Sequence, residues 1–176
     1  MGEKKAEVPV GKELVRMTGI MKEFPGVKAL DNVKLDLYAG EVLALLGENG
    51  AGKSTLMKIL SGVYQRDDGE IILFGNKIGE WDANKAKNAG VSIIHQELNM
   101  CTHLSVAENI FLGGWKQFGN VIKWNKLYQA ATEYLGQLQL DVEPTEILRN
   151  LNASKQQLVS IARALSHKPR ILILDE

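Results

Sequence analysis

Alternating apolar and polar residues near the start of the chain predict strands. Val33 to Tyr38 alternates with period two, as expected of a strand that buries one face. Glu13 to Gly19 alternates more weakly and is a second candidate strand. Val42 to Leu46 is instead continuously apolar, which predicts a strand buried on both faces. We therefore expect an antiparallel start that continues as α/β structure.

Helical periodicity replaces the strand pattern after this apolar run. Residues 56–60 carry their apolar side chains on one helical face, and Gly62 is suited to end that helix. Two more strands are predicted at Glu70 to Phe74 and at Gly90 to His95, with a short helix between them at Asp82 to Asn88. The pattern thus predicts strands and helices in alternation.

Residues 97–150 are predicted to be a mostly helical insertion. Ser105 and Glu108 have the spacing of a capping box, in which each residue satisfies a main-chain N–H of the other. Further along, apolar residues at helical spacing predict a longer helix from about Trp124 to Leu140.

The stretch Gly47 to Thr55 lies between the apolar run and the first helix. Strand, glycine-rich turn, Gly-Lys-Ser and helix is the order of a P-loop, whose main-chain N–H groups surround a phosphate. Lys53 would reach the β- and γ-phosphates of ATP, and the Ser54 hydroxyl would ligate Mg²⁺. The predicted ATP-binding residues of this stretch are Gly47, Asn49, Gly50, Ala51, Gly52, Lys53, Ser54 and Thr55.

A last helix and strand are predicted at the end of the sequence. The predicted buried face of the helix is Leu158, Ile161, Ala162 and Leu165. Ile171 to Leu174 follows as a fully buried strand, and Asp175 and Glu176 come directly after it. Four apolar residues before Asp-Glu form a Walker B pattern, which in a P-loop protein places an acid beside Mg²⁺.

Composition narrows the functional classes. The 176 residues contain 21 Lys plus Arg and 21 Asp plus Glu, so net charge gives no indication of a nucleic-acid partner. The single cysteine, Cys101, excludes an internal disulfide and is typical of a reducing compartment. No uncharged apolar stretch approaches the length of a transmembrane helix.

Together these motifs resemble the ATP-binding domain of an ABC transporter from about residue 13 onward. Phe24 to Leu30 and Ile94 to Asn99 are similar to the N-terminal ATP-binding half of tandem ABC proteins that drive bacterial ribose, galactose and xylose importers. The resemblance implies an α/β P-loop NTPase with an N-terminal antiparallel β subdomain and an inserted helical subdomain. The expected divisions are an ATP-binding core at 1–96, a helical subdomain at 97–155, and a return to the core at 156–176.

The resemblance also assigns roles to single residues. Phe24 matches the position whose ring stacks on adenine, although a ring that packs only within the protein is the alternative. Gln96 matches a Mg²⁺ ligand at a hinge toward the membrane subunits. Asp175 matches the acid facing Mg²⁺, and Glu176 the general base for the attacking water. Lys53, Gln96 and Glu176 are accordingly the predicted catalytic residues.

The signature sequence departs from the family pattern Leu-Ser-Gly-Gly-Gln. In the family this loop covers the γ-phosphate bound by the opposite subunit. Here the corresponding residues after Leu151 are Asn152, Ala153, Ser154 and Lys155. Ser154 adds a side chain where a main chain must come close, and Lys155 adds a cation. We expect one weak site in a two-site assembly, with a neutral variant as the alternative.

A domain of this family continues beyond Walker B, so the resemblance implies a C-terminally incomplete chain. The strand that would follow lies between the P-loop strand and the Walker B strand in the related topology. Without it we expect Ile171 to Leu174 to shift into that position or to pair with another chain, and we expect poor ATP hydrolysis.

The implied assembly is a sugar importer. Its components are integral membrane permease subunits, a periplasmic sugar-binding protein that acts indirectly, and a second ABC domain in the same full-length chain, with no nucleic acid. The location is peripheral, on the cytoplasmic face of the cell membrane. Two alternatives stay open: an ABC ATPase that acts on nucleic acid or the ribosome, and a binding module without turnover.

Overall fold

The computed structural model describes residues 9–94, 100–113 and 122–175. The chain divides into two compact units, one up to Ala86 and one from Lys87 onward. The predicted domain boundaries after residues 96 and 155 stay predictions. Within the described ranges, no helix combines the length and the apolar composition needed to cross a bilayer.

The first unit contains a four-stranded antiparallel sheet in the order β2-β1-β3-β4. Its strands are β1 (Glu13–Phe24), β2 (Val27–Tyr38), β3 (Asp68–Leu73) and β4 (Asn76–Lys77). The predicted antiparallel start is confirmed, and β1 and β2 are longer than their alternating segments indicated. Pro25 and Gly26 turn β1 into β2, and Gly26 has a φ of +78° that glycine adopts without strain.

The sheet buries one row of side chains across its three long strands. Met17 on β1 is opposite Leu35 on β2 and Ile71 on β3. All three are buried, and Met17 and Ile71 are fully so. Cross-strand pairs of this kind fix the register, because a slip of one residue would move every buried side chain to the opposite face.

Helix α1 (Lys53–Leu60) follows the glycine-rich loop and ends as predicted. The N–H of Gly62 donates to the carbonyl of Ile59, and the N–H of Val63 donates to the carbonyl of Lys58. Gly62 has a φ of +76°, so the helix closes in a Schellman motif.

The predicted strand at Val42 to Leu46 is wrong. These residues belong to no strand, and Val42 and Leu46 are 97% and 93% exposed. An apolar run becomes a strand only where a neighbouring strand supplies main-chain partners, and in the described part of the chain no strand pairs with this segment. Apolar character alone therefore did not determine its structure.

The second unit combines a two-stranded parallel sheet with a helical cluster. In chain order its elements are α2 (Ala83–Ala89, which begins in the first unit), β5 (Val91–Ile94), α3 (Val106–Ile110), α4 (Trp124–Gln137), a 3₁₀ turn at Leu148–Asn150, α5 (Ala153–Ser166) and β6 (Ile171–Leu174). The capping box is confirmed, because Ser105 Oγ accepts from Glu108 N and Ser105 N donates to Glu108 Oε2.

Helices α3, α4 and α5 share one hydrophobic core. Leu127 and Ala131 of α4 pack in it with Val159 and Ala162 of α5, and all four are fully buried. The predicted buried face of α5 is partly wrong: Leu158, Ile161 and Leu165 are only half-buried. The apolar stripe on α5 is wider than the face that α3 and α4 cover. Helical periodicity therefore predicted more buried residues on α5 than the structure contains.

Strand β6 lies parallel to β5, with Ile171 opposite Val91 and Leu174 opposite Ile94. The expected shift of this strand into a position beside residues 42–46 is therefore wrong. The prediction of full burial is also wrong, since Ile171 and Ile173 are buried while Leu172 and Leu174 are 37% and 61% exposed. Period-two burial is what a sheet covered on one face produces. The suggested pairing with another chain stays a prediction.

Candidate functional site

The glycine-rich loop contains two glycines in a main-chain conformation that other residues rarely adopt. Gly50 and Gly52 have φ values of +84° and +86°, a region that favours glycine. Gly52 is also confined, because a Cβ there would lie 2.5 Å from the carbonyl oxygen of Ala29 and 2.7 Å from Leu30 Cδ2. The loop can thus pass under β2 only if residue 52 has no side chain.

The start of α1 supplies hydrogen-bond donors beside this loop. The main-chain N–H groups of the first turn, which contains Lys53, Ser54 and Thr55, have no acceptor within a helix. Gly52 is the N-cap, and among the described residues no side chain caps it. Unsatisfied donors and the positive end of the helix dipole together favour an anion at this position.

Lys53 closes the loop through its side chain. Its Nζ donates to the carbonyl oxygens of Gly47 and Glu48 at 2.6 and 2.8 Å. An ammonium group has three N–H donors, and the described contacts use two of them. The third remains for a ligand. The two hydrogen bonds hold the positive charge against the first two residues of the loop, and a lysine of a P-loop contacts the β- and γ-phosphates of a nucleotide.

A cavity of about 310 Å³ lies beside the loop, between β2, residues 43–46 and α1. Its walls are mainly aliphatic, with Leu30, Leu35, Leu45 and Leu56 among the lining residues. A triphosphate needs N–H donors and cations rather than aliphatic walls. Ala51, Gly52 and Lys53 of the loop also line the cavity, so its loop side alone offers the polar groups that a phosphate needs.

Phe24 belongs to a cluster of aromatic and cationic side chains. Its ring meets that of Tyr64 edge to face, with centroids 5.4 Å apart and an interplanar angle of 69°. Lys22 Nζ lies 5.5 Å from the centroid of the Phe24 ring, and Lys58 Nζ lies 5.7 Å from that of Tyr64. Both distances are within the range of cation–π attraction.

Asp67 connects this cluster to β1. Its carboxylate accepts from Lys22 Nζ and from the N–H of Glu23, each at 2.6 Å, and its own N–H donates to the carbonyl of Met21 at 3.0 Å. The Lys22 hydrogen bond, followed by that of the Glu23 N–H, lowers the pKa of Asp67 below its ordinary value of 3.8.

We expect Asp67→Asn to change stability in a pH-dependent way. A carboxylate whose pKa is lowered by folding stabilises the fold above its unfolded pKa and loses that contribution as the pH falls through the folded value. The wild type should therefore exceed Asp67→Asn in unfolding free energy by a constant margin at neutral and weakly acidic pH. The margin should shrink below about pH 4. Urea titrations of both proteins between pH 7 and pH 3 measure this margin. A margin that stays the same at every pH would contradict the lowered pKa of Asp67.

The second unit carries the other predicted residues that the structure describes. Asp175 is half-buried at the end of β6, and its N–H donates to the carbonyl of Ile94 at 3.1 Å. Asn152 is the N-cap of α5, with its Oδ1 accepting from the N–H of Lys155 at 2.9 Å. Lys155 Nζ donates to the carbonyl of Asp141 at 3.3 Å. Ala153 and Ser154 are exposed in the first turn.

Two predicted catalytic residues, Gln96 and Glu176, lie outside the described residues. The ranges 9–94, 100–113 and 122–175 contain no group of three or more His, Cys, Asp or Glu side chains placed to hold a metal ion. Ser54 and Asp175 lie in different compact units, and their roles as Mg²⁺ ligands stay predictions.

The neighbours of Phe24 could not be predicted from the sequence. Tyr64, Lys58 and Asp67 are distant from Phe24 along the chain, and no local pattern distinguishes them. Their proximity follows from the antiparallel pairing of β1 with β3, which places Met21 opposite Asp68. To predict these neighbours of Phe24 from the sequence, one would have to predict the register of β1 against β3 and the turn before β3.

A sequence profile described as "ABC transporter" matches residues 30–176. The chain belongs to the ABC transporter family. An ABC cassette is a P-loop NTPase, and the loop, Lys53 and α1 have the arrangement expected of its nucleotide-binding element.

Curated ABC relatives are about half identical to this chain. A putative ribose/galactose/methyl galactoside import ATP-binding protein of Burkholderia ambifaria is 51% identical over 165 residues, which is 93% of this chain and 32% of that protein. A xylose import ATP-binding protein of Geobacillus kaustophilus is 49% identical, and a ribose import ATP-binding protein of Clostridium perfringens is 48% identical. The chain spans about a third of the length of these relatives.

Solved ABC cassettes share the fold. A dimeric ATP-binding cassette in a post-hydrolysis state, bound to ADP and Pi, aligns with a TM-score of 0.77 at 26% identity, over 93% of this chain and 74% of that one. A nucleotide-free cassette from an ABC transporter aligns with a TM-score of 0.78 at 25% identity, over 93% of this chain and 69% of that one. The α/β P-loop NTPase fold expected from the sequence is confirmed.

Proposed function

We propose that this chain binds MgATP as the first ATP-binding segment of the ATPase subunit of an ABC importer, and that the importer transports a monosaccharide. The observation that carries the proposal is the glycine-rich loop. It combines two left-handed glycines, an uncapped helix N-terminus and an ammonium group held against the first two residues of the loop. These features together suit a triphosphate, whose charge would replace the missing cap of α1.

Each predicted residue has a part in this proposal. The loop N–H groups and Lys53 would hold the β- and γ-phosphates, and Ser54 would ligate Mg²⁺ with Asp175 and Gln96. Mg²⁺ would neutralise charge on the phosphates during transfer to water. Phe24 would stack on adenine, and Glu176 would act as general base in the full-length protein.

The sugar cargo and the assembly are inferred from the relatives. The printed names of the three relatives specify import of ribose, galactose, methyl galactoside or xylose. By analogy the full-length protein would act at the cytoplasmic face of the membrane with permease subunits, a periplasmic binding protein and a second ABC domain. The same names favour import over the alternative of an ABC ATPase acting on nucleic acid.

The altered signature would make one of the two ATP sites weak. Asn152 already uses its side-chain oxygen to cap α5, and Lys155 is bonded to the main chain at Asp141. Replacing Asn152 by Ser and Ser154 by Gly should raise the ATPase rate of the assembled transporter if this loop limits turnover. Asn152→Ser alone is the matched control, because Ser retains the cap while the side chain at 154 stays. An unchanged rate in the double variant would favour a neutral sequence variation.

The proposal is tested by a binding titration beside a phosphate-release assay. The chain should bind fluorescent N-methylanthraniloyl-ATP, and ATP and tripolyphosphate should displace it in a Mg²⁺-dependent manner. Binding without phosphate release would indicate a binding module, which is the second candidate for the chain alone. Absence of binding to both ATP and tripolyphosphate would refute the proposed function. Co-purification of the full-length protein with an integral membrane partner would separate an importer from an ABC ATPase of the ribosome or nucleic acid.

A further inference from the structure

Two elements that carry different parts of the proposed nucleotide site meet at the Phe24–Tyr64 pair. Phe24 is the last residue of β1, whereas Tyr64 follows α1, whose first residue is Lys53. The N–H groups of Val63 and Tyr64 both donate to the carbonyl of Lys58, at 2.8 and 3.1 Å. Tyr64 is thus attached to the last turn of the helix that begins at the phosphate-binding loop.

Hydrogen bonds and an ion pair also fix the residues next to Phe24. Lys22 lies over the Phe24 ring and forms an ion pair with Asp67 at 2.6 Å. Asp67 also accepts from the N–H of Glu23 at 2.6 Å, and its main chain bonds to Met21. The turn after Tyr64 is therefore bonded to the three residues that precede Phe24.

Such an arrangement reduces the freedom of the Phe24 ring before any ligand binds. A side chain that is ordered in advance does not lose rotamer entropy on binding, and this raises affinity without a new ligand contact. Both rings are only half-buried, so the edge-to-face contact is a large part of what orients Phe24. The same contact fixes Phe24 relative to α1, and hence relative to the loop that holds the phosphates.

We propose that Tyr64 is a positioning residue for adenine binding, which acts by holding the Phe24 ring against the C-terminal end of α1. This rests on the proposed function, in which Phe24 stacks on adenine and the glycine-rich loop holds the phosphates. Tyr64 itself need not touch the nucleotide. Tyr64 therefore affects the part of the ATP affinity that comes from adenine stacking. The part that comes from the phosphate contacts does not depend on Tyr64.

The test compares ATP with tripolyphosphate, which lacks the base, as competitors of N-methylanthraniloyl-ATP on the 176-residue chain. Tyr64→Leu should weaken ATP roughly 3- to 10-fold, the range expected for an aromatic pair. Its affinity for tripolyphosphate should stay within about twofold of wild type, because the loop is unchanged. Tyr64→Phe keeps the ring and should restore the wild-type affinity for ATP.

A double-mutant cycle separates positioning from a general structural effect. In a Phe24→Leu background, Tyr64→Leu should have little further effect on ATP affinity, since the residue through which it acts is gone. Equal losses for ATP and tripolyphosphate, or additive losses in the cycle, would overturn the inference while leaving the proposed function intact. A wild-type chain that binds tripolyphosphate and ATP equally would also overturn it. A wild-type chain that binds neither ligand would instead refute the proposed function.

Discussion

Gly52→Ala should destabilise the chain and weaken ATP binding. Residue 52 has a φ of +86°, which costs an L-residue roughly 1–2 kcal/mol. A Cβ would in addition lie 2.5 Å from a main-chain oxygen, and overpacking of this kind costs about 1–3 kcal/mol. The clash involves backbone on β2, so the loop must move. Losing even one N–H bond to a charged phosphate should weaken ATP roughly 10-fold or more.

Gly50→Ala is the matched control for the stability part of this prediction. Gly50 has nearly the same φ, +84°, but a Cβ there would meet no atom within 4 Å. Urea denaturation should therefore show a loss of about 1–2 kcal/mol for Gly50→Ala and a clearly larger one for Gly52→Ala. Equal losses would mean that the loop does not pass under Ala29 as closely as the structure shows.

Lys53→Met should abolish most phosphate affinity, and it also removes the two hydrogen bonds by which this side chain closes the loop. Methionine keeps an unbranched apolar side chain and removes the ammonium that lies over Gly47 and Glu48. Hydrogen bonds to charged groups contribute about 1.5–3 kcal/mol, so ATP and tripolyphosphate should both weaken roughly 10- to 100-fold. Isothermal titration calorimetry with each ligand measures this loss.

Lys77→Met controls for the removal of a positive charge elsewhere in the first unit. Lys77 is an exposed residue of β4 that pairs with Glu70 on the surface. Exposed ion pairs contribute little to stability, and long-range attraction to the nucleotide is screened by salt. Affinity for both ligands should stay near wild type in Lys77→Met. If Lys53→Met behaved in the same way, Lys53 would not be the phosphate-contacting cation.

Local sequence patterns determined those parts of this protein whose interactions lie within a few residues. The helix end at Gly62 and the capping box of Ser105 and Glu108 are both found as predicted. The glycine-rich loop is the functional example. Its conformation follows from the glycines, and its position at the start of α1 follows from the helix pattern behind it.

Residues 42–46 and strand β6 show where the sequence pattern reaches its limit. Both are apolar runs, and both were predicted as buried strands. Strand β6 has β5 as a neighbour and forms a ladder with it. Residues 42–46 have no strand partner in the described ranges, and Val42 and Leu46 stay exposed. Strand formation depends on main-chain partners from a distant part of the chain, which the composition of the run does not specify.

The sequence was sufficient to predict the glycine-rich loop before α1, the antiparallel start and the ABC family. Only the tertiary structure brought Tyr64 and Asp67 to Phe24, and only it showed that Gly52 is confined by β2. The physical reason is the range of the forces involved. Loop conformation and helix caps are fixed by neighbours along the chain, whereas ring contacts, ion pairs and close main-chain approaches depend on a sheet register that joins distant segments.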